Sequence, residues 1–352
     1  MQKKIGISGT GRIGRLFIRS MVMCGESSSL ALINSSCTPE QLAYLLKYDS
    51  IHGRWEEDIK VDEQCLIIRG HRIHLVNERN PELLPWREHG VEVVVDATGK
   101  FKSRPEASKH LQAGAKRVVV TAPGKDLDRT IVMGVNEHAY DAENDSLIST
   151  ASCTTNCLAP VLHVLDREFG VDNAWMTTVH AYTNDQKLLD NPHSDWRRAR
   201  ACGSSIIPTS TGVGKALREI LPHLAERVQG LSLRVPVQDV SLVDLTAQLK
   251  RDVTKEEIAC AFKNAINLGL EPFMEYNEEP LVSSDYIGNS KSAIIDGLTI
   301  QTSGQQVKLL AWYDNEWAYA CRVKDFVNYM FTGAGKVDPK CKIRSVESVL
   351  SM

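Results

Sequence analysis

Cys153 lies in the stretch Ala151-Ser152-Cys153-Thr154-Thr155-Asn156-Cys157, between an apolar run ending near Ile148 and an apolar, helix-like segment beginning at Leu158. A thiol there sits at a helix N-terminus, where unsatisfied N–H groups and roughly half a positive charge favour the thiolate, the reactive form. Thr154, Thr155 and Asn156 are residue types suited to capping such a helix. Two plainer readings compete. Cys153 and Cys157 could be small buried thiols on one helix face, and a zinc site would need a second Cys/His pair at ligand spacing, which the neighbourhood lacks. A second stretch, Thr177-Thr178-Val179-His180-Ala181-Tyr182-Thr183-Asn184-Asp185-Gln186, is β-rich and delivers His180 into a polar loop. An imidazole within reach takes a thiol proton and later returns one, so Cys153 and His180 form a candidate nucleophile and base. The competing role for His180 is a structural one.

The elements that must position this chemistry begin at the N-terminus. Lys3 to Ser8 predicts a short buried strand, followed at once by Gly9-Thr10-Gly11-Arg12-Ile13-Gly14 and a helix with apolar Ile13, Leu16, Phe17 and Met21. Strand, glycine turn and helix together make a dinucleotide-binding fingerprint, with backbone amides and the residues Arg12 and Ile13 at the pyrophosphate. A second strand, Leu30 to Ile33, ends in Asn34-Ser35-Ser36, about twenty residues after the last glycine, where a carboxylate commonly binds the ribose 2′-hydroxyl. No acid is present there, and the first one downstream is Glu40. Further strands are predicted at Val91 to Val95 and Arg117 to Thr121, a hairpin around Arg69-Gly70-His71, and a helix over Gln41 to Tyr48. After Cys153 the pattern changes to longer strands (174–179, 231–235, 241–249, 292–296 and 307–312), with a helix over 254–268 begun by a capping-box pattern at Thr254. The irregular polar segment between His180 and Ile206 is too long for a plain connector.

The chain has 352 residues, enough for two cores, and a formal net charge of −3 gives no general attraction to nucleic acid or an anionic membrane. Phosphate recognition must therefore come from local clusters such as Arg197-Arg198-Ala199-Arg200. No stretch approaches the ~20 apolar residues of a membrane span, and Met1-Gln2-Lys3-Lys4 passes directly into a strand without a signal-peptide core. The nine cysteines form no paired framework, as expected of a reducing compartment, so a cytoplasmic location follows.

The two strings SCTTNCLAP and TTVHAYTNDQ, with GTGRIGR, LLKYDSIHGR, DATGKF, RRARACGSSIIPTSTG, LRVPVQDVSLVDL and WYDNEWAY in the same order, resemble the phosphorylating glyceraldehyde-3-phosphate dehydrogenases. The resemblance runs from Ile5 to about Phe331. It implies an α/β architecture: a Rossmann dinucleotide-binding domain (1–151), an α+β catalytic domain with a mixed sheet (152–317), and a C-terminal helix (318–332) packing back on the first domain. Residues 333–352, with Cys341 the only cysteine among them, read as a flexible tail. The implied reaction is the reversible oxidation of D-glyceraldehyde 3-phosphate with inorganic phosphate to 1,3-bisphosphoglycerate through a Cys153 thioester, with His180 as base, in glycolysis or gluconeogenesis. Substrate and attacking phosphate fall to Ser152, Thr154, Thr183, Arg200, Thr211, Gly212 and Arg234. The cofactor falls to Gly9, Gly11, Arg12, Ile13, Gly14, Asn34, Ser35, Arg79, Thr98, Thr121, Asn191, Asn315 and Tyr319. A homotetramer is implied, because the segment after His180 resembles a loop lining a neighbouring subunit's cofactor pocket. No metal, nucleic acid or membrane partner is implied.

Ser8 and Thr10 depart from the family's usual Asn and Phe. Ser35 at the acid's position, with Asn191 in Asp190-Asn191-Pro192, resembles the NADP-using, gluconeogenic members, so NADP is the expected cofactor with NAD also accepted. A carboxylate at Ser35 would repel a 2′-phosphate by about 4 kcal/mol per charge pair at ~4 Å in a partly screened site. Two other functions compete: an erythrose-4-phosphate dehydrogenase, disfavoured by Thr183, and a non-catalytic nucleotide-binding interaction protein, disfavoured by the intact Cys153 and His180.

Overall fold

The computed structural model describes residues 3–332. The expected tail, 333–352 with Cys341, lies outside the described residues. The chain divides into two compact units: one takes the residues up to Ile131, Asn136–Ser152 and those from Ala320 on, and the other Val132–Val135 and Cys153–Tyr319.

The first unit contains β1 (Ile5–Ser8), α1 (Arg12–Met23), β2 (Leu30–Asn34), α2 (Pro39–Lys47), the short pair β3 (Tyr48–Asp49) and β4 (Gly53–Arg54), β5 (Ile59–Asp62), β6 (Cys65–Ile68) and β7 (His71–Val76). It continues with β8 (Val93–Asp96), α3 (Arg104–Gln112), β9 (Arg117–Val120), β10 (Arg129–Thr130) and β11 (Leu147–Ser149). Its nine-stranded sheet has the order β10-β11-β9-β8-β1-β2-β7-β6-β5. The pairs around β1 are parallel, and the β5-β6-β7 edge is antiparallel. Fully buried Ile5, Ile7, Leu32, Val93, Val94 and Val118 explain the continuous apolar runs, since helices cover a parallel sheet on both faces. β1 lies between β2 and β8, so the chain reverses its direction of travel across the sheet at the C-terminal end of β1, where open parallel sheets form their ligand crevice. The fingerprint glycines sit there under steric necessity. A Cβ on Gly14 would lie 2.1 Å from the Gly9 carbonyl oxygen, and Gly9 itself has φ +95 with Ala97 backbone 2.8 Å from any added Cβ.

The second unit contains α4 (Cys153–Phe169), β12 (Val171–Ala181), β13 (Ile207–Thr209), α5 (Val213–Ile220), β14 (Val228–Val235), β15 (Ser241–Leu249), α6 (Lys255–Ala265), β16 (Met274–Asn277), β17 (Ala293–Asp296), β18 (Gln301–Ser303) and β19 (Gln306–Tyr313). α7 (Trp317–Thr332) begins there and continues among the residues of the first unit. The sheet is mixed, in the order β13-β14-β12-β15-β19-β17-β16 with β18 on β19. Strict alternation of buried and half-buried residues along β15 gives the sheet one face under α4 and one open face, carrying exposed Trp175 on β12 and Leu231 on β14.

Several local expectations are corrected. α4 starts at Cys153, five residues before the predicted start, so Thr154, Thr155 and Asn156 lie inside the helix rather than capping it. α2 starts at Pro39 because Thr38 and Gln41 form a capping box. α6 keeps its predicted box at Thr254 and Glu257, but its regular part ends at Ala265, before Gly269 at φ 136. α3 and α5 were not anticipated, although Ser103-Arg104-Pro105-Glu106 carries a capping box and a proline at the permitted position.

Replacing Gly14 by alanine is expected to force β1 and α1 apart and to destabilise the cofactor-free protein by about 1–3 kcal/mol. Urea unfolding of the first unit's signal measures this, and an unchanged midpoint would refute the close-approach explanation.

Candidate active site

The turn into α4 is strained: Ala151 is fully buried with φ 56, in the left-handed region that a side chain disfavours. Cys153 follows on the first turn, and its Sγ lies 3.4 Å from Nε2 of His180, near the end of β12. His180 Nδ1 is 2.7 Å from the Ala181 carbonyl oxygen. A carbonyl only accepts, so Nδ1 carries the proton and Nε2 presents its lone pair to the thiol. Arg234 Nη1 donates to the same Ala181 oxygen at 3.1 Å, and its approach to Nδ1 at 3.0 Å is a charge contact rather than a hydrogen bond.

Both groups are neutral at rest. Burial pushes the Cys153 thiol up to about 11, partly offset by the Arg234 charge and by N–H groups of the helix start. The helix start favours the thiolate as expected, through the Cys153 and Thr154 amides, but loss of water outweighs it. Burial, and then the charge of Arg234, push His180 down to about 3. The pair is a thiol facing a free imidazole base. Cys157 faces the Ala311 carbonyl at 3.8 Å and is held further in its neutral form by burial.

Tyr313, from β19, was not singled out in the sequence. Its hydroxyl lies 2.9 Å from Thr154 Oγ1, on the turn that carries Cys153, and 2.9 Å from Thr178 Oγ1, two residues before His180. Its ring meets the His180 ring edge-on. Only the pairing of β15 with both β12 and β19 makes this brace, so no local signal could have revealed it.

Among the residues expected to hold phosphate, Arg234 and Thr154 gather at the pair, and Ser152 immediately precedes α4. Thr183 is the second residue of the loop after β12, its carbonyl accepting from Gln186 N at 2.9 Å. Gly212 caps α5, and Thr211 lines a cavity of about 210 Å³ beside it. Arg200 is corrected: it is exposed and paired with Asp190 at 2.8 Å. Arg198 turns inward instead, and its charge bears on both His180 and Arg234. Thr209 Oγ1 accepts from its Nε at 3.0 Å and Asp185 from its Nη1 at 2.6 Å, fixing that direction. A run of three arginines in a turn does not disclose which one points inward.

In the first unit, Gly9, Thr10, Gly11, Asn34, Ser35, Arg79, Thr98 and Lys100 help to line a cavity of about 420 Å³ at the end of β1. A Cβ at Gly11 would meet nothing within 4 Å, so this glycine leaves space on the ligand side, while Gly9 and Gly14 serve the protein's own packing. These features fit a dinucleotide whose pyrophosphate approaches backbone at the start of α1. Three expected contacts change character. The Arg12 guanidinium is engaged by Asp49, which receives its Nη2 at 3.0 Å, so Arg12 and Ile13 offer their place at the helix start rather than a free cation. Asn34 braces the crevice, its amide donating to Ser8 Oγ at 3.2 Å and the Glu78 carbonyl at 2.9 Å. Thr121 donates its hydroxyl to the Asp96 carbonyl at 3.1 Å.

The Thr98 loop is held from behind. Asp96 Oδ1 accepts from Thr98 N at 2.8 Å and Thr98 Oγ1 at 2.6 Å. Its other oxygen faces His110 Nε2 at 3.2 Å, and His110 Nδ1 accepts from the Trp86 indole at 3.1 Å. In the second unit, Asn315 is buried and its Oδ1 accepts from Ser241 Oγ at 2.7 Å. Tyr319 is buried in the first turn of α7, and Asn191 is exposed in the loop after β12.

Tyr313→Phe is expected to strand two buried threonine hydroxyls and cost about 1–3 kcal/mol, measurable by denaturant unfolding; a silent substitution would remove the brace. Gly11→Ala is expected to leave cofactor-free stability unchanged while weakening dinucleotide binding at least about tenfold by titration calorimetry. Equal affinity would place the ligand elsewhere.

Residues 3–104 match the family model described as glyceraldehyde 3-phosphate dehydrogenase, NAD binding domain, and residues 152–315 the corresponding C-terminal domain. Glyceraldehyde-3-phosphate dehydrogenase 2 of Bacillus subtilis (strain 168) is 55% identical over 331 residues, covering 94% of this chain and 97% of the relative. The enzymes of Priestia megaterium and Geobacillus stearothermophilus are 50% and 48% identical, each over 94% of this chain and 98% of their own. With the thiol-imidazole pair at one sheet and the glycine-lined crevice at the other, the chain belongs to the glyceraldehyde-3-phosphate dehydrogenase family of oxidoreductases.

Proposed function

We propose that this chain catalyses the reversible, phosphate-dependent oxidation of D-glyceraldehyde 3-phosphate to 1,3-bisphosphoglycerate, using NADP in preference to NAD. The observation that carries the reading is Cys153 Sγ at 3.4 Å from Nε2 of His180, whose other nitrogen is held by the Ala181 carbonyl, with Arg234 alongside. His180 Nε2 takes the thiol proton as Sγ adds to the aldehyde carbon, and the resulting alkoxide takes a proton to give the thiohemiacetal. A bound nicotinamide dinucleotide supplies the hydride acceptor. His180 removes the hydroxyl proton of the thiohemiacetal as the carbon is oxidised, leaving a thioester on Sγ. Phosphate oxygen then attacks the thioester and the Cys153 thiolate departs, with Arg234 and Arg198 as the cations suited to the two phosphates, joined by Ser152, Thr154, Thr183, Thr211 and Gly212. Residues 1–151 bind the dinucleotide and 152–317 carry the chemistry.

The preference for NADP rests on the crevice. Ser35 stands where a carboxylate would repel a 2′-phosphate, Arg79 and Lys100 line the same cavity, and the Glu78 carboxylate is turned to the Asn80 amide at 2.7 Å. Asn191 is read as a contribution from a neighbouring subunit. A homotetramer is supported by exposed Leu188, Leu189, Trp196 and Ile206 in the loop after β12, and by Trp175 and Leu231 on the open sheet face. No helix among the described residues is long and apolar enough to cross a membrane, and a cytoplasmic place remains part of the proposal.

Steady-state kinetics with glyceraldehyde 3-phosphate, phosphate and each dinucleotide test the whole reading; absence of phosphate-dependent turnover would end it. His180→Asn is expected to lower kcat/KM by about 10²–10⁴. The sign of its pH response follows from the resting states. With His180 down at about 3, the wild type keeps its unprotonated base throughout the neutral range and its kcat/KM is expected to stay level there, whereas the variant, left to hydroxide, is expected to lose activity by about tenfold for each unit that the pH falls. Identical pH profiles would discard His180 as the base. Ser35→Asp is expected to shift the NADP-to-NAD ratio of kcat/KM toward NAD by about ten- to a hundredfold, corresponding to ~1.4–2.8 kcal/mol. A wild type favouring NAD tenfold would return the assignment to NAD.

A further inference from the structure

We infer that Thr10 is a positioning residue that sets cofactor preference by fixing the direction in which Ser35 donates its hydroxyl proton, an inference resting on the reading of the first unit's crevice as an NADP site. Parallel pairing aligns Ser8 with Asn34, so the turns that follow β1 and β2 run side by side and bring the two residues together. Thr10 Oγ1 and Ser35 Oγ lie 2.6 Å apart, 8% and 4% exposed. Ser35 Oγ also accepts from the Cys37 amide at 3.0 Å.

A hydroxyl has one proton and two lone pairs. The contact allows either hydroxyl to donate; in the proposed arrangement Thr10 donates to Ser35, and both Ser35 lone pairs are filled, one by Thr10 and one by Cys37. Its own proton is then left for the cavity that both residues line. Ser35 in this state gives one hydrogen bond to a ligand and receives none. A ribose 2′-hydroxyl finds no acceptor on Ser35 in this state, whereas a 2′-phosphate presents only acceptor oxygens and gains a charge-assisted bond. A carboxylate at Ser35 would act oppositely, accepting from the ribose. Thr10 thus completes a donor that the serine alone does not define. The usual Phe at this position could not do so.

The test compares wild type, Thr10→Val, Ser35→Ala and the double variant, with dissociation constants for NADP, NAD, 2′-AMP and 5′-AMP measured by calorimetry. Valine keeps the shape of threonine and removes only the hydroxyl. Thr10→Val is expected to reduce the NADP-over-NAD affinity ratio about three- to tenfold when Ser35 is present and less than about twofold when it is Ala. Thr10→Ser retains the donor and is expected to keep the wild-type ratio, which guards against a packing effect in the valine variant. Equal changes in both backgrounds, or none in either, would overturn the role of Thr10. A wild type that binds NAD more tightly would instead overturn the NADP reading, and the non-additivity between Thr10 and Ser35 would still decide whether Thr10 orients the serine.

Discussion

Everything in the second unit turns on one carbonyl oxygen. The Ala181 oxygen receives His180 Nδ1 and Arg234 Nη1 together, and in doing so it fixes which nitrogen of the imidazole is free and where the cation stands. The register of β12 against β14, which sets His180 opposite Arg234, is what allows a single acceptor to hold both. Without that arrangement the ring could present an N–H to the thiol, and Cys153 would face a donor instead of a base. The sheet order extends the constraint, since β15 and β19 must follow in sequence for Tyr313 to reach from Thr154 to Thr178.

Burial makes the pair neutral. A thiolate at Cys153 would cancel part of the Arg234 charge, while a neutral thiol leaves the positive potential of Arg234 in place. Arg234 has its own charge disfavoured by burial, but the nearby sulfur acts in the opposite direction. Local backbone strain accompanies this arrangement. Ala151 with φ 56 leads into Cys153, and Val240 with φ 64 leads into Ser241, whose hydroxyl donates to Asn315 and accepts from Ala181 N. Such conformations persist only where surrounding packing over-determines them, and both residues are buried.

The first unit solves a different problem. Its ligand-facing surface is made of backbone and small side chains, so it is defined by what holds them from behind. Asp96 anchors the Thr98 turn, His110 binds Asp96, and Trp86 binds His110, a buried polar chain in which each donor has its acceptor. The tautomer follows from the indole, which only donates, so His110 Nε2 carries the proton toward Asp96. At Thr10 and Ser35 the same kind of constraint, a count of protons and lone pairs, is what the proposed cofactor selectivity rests on.

The sequence by itself determined the glycine turn after β1, the alternation that builds the first sheet, the longer strands of the second, and the nomination of Cys153 and His180, because each leaves a local mark: a forced glycine, a periodicity, or a reactive residue type between apolar runs. Absence of an acid at Ser35 was equally legible. Protonation at Cys153 was not, since the helix field that favours the thiolate is a local feature whereas the desolvation that outweighs it depends on how the whole unit closes over the sulfur. The choice of Arg198 over Arg200 also waited on the tertiary structure, where Asp185 and Thr209, distant in sequence, draw one guanidinium inward. Tyr313 and His110 gave no signal as isolated aromatic residues. Their roles exist only as hydrogen bonds between strands and helices far apart in the chain, and those partners are assigned by folding.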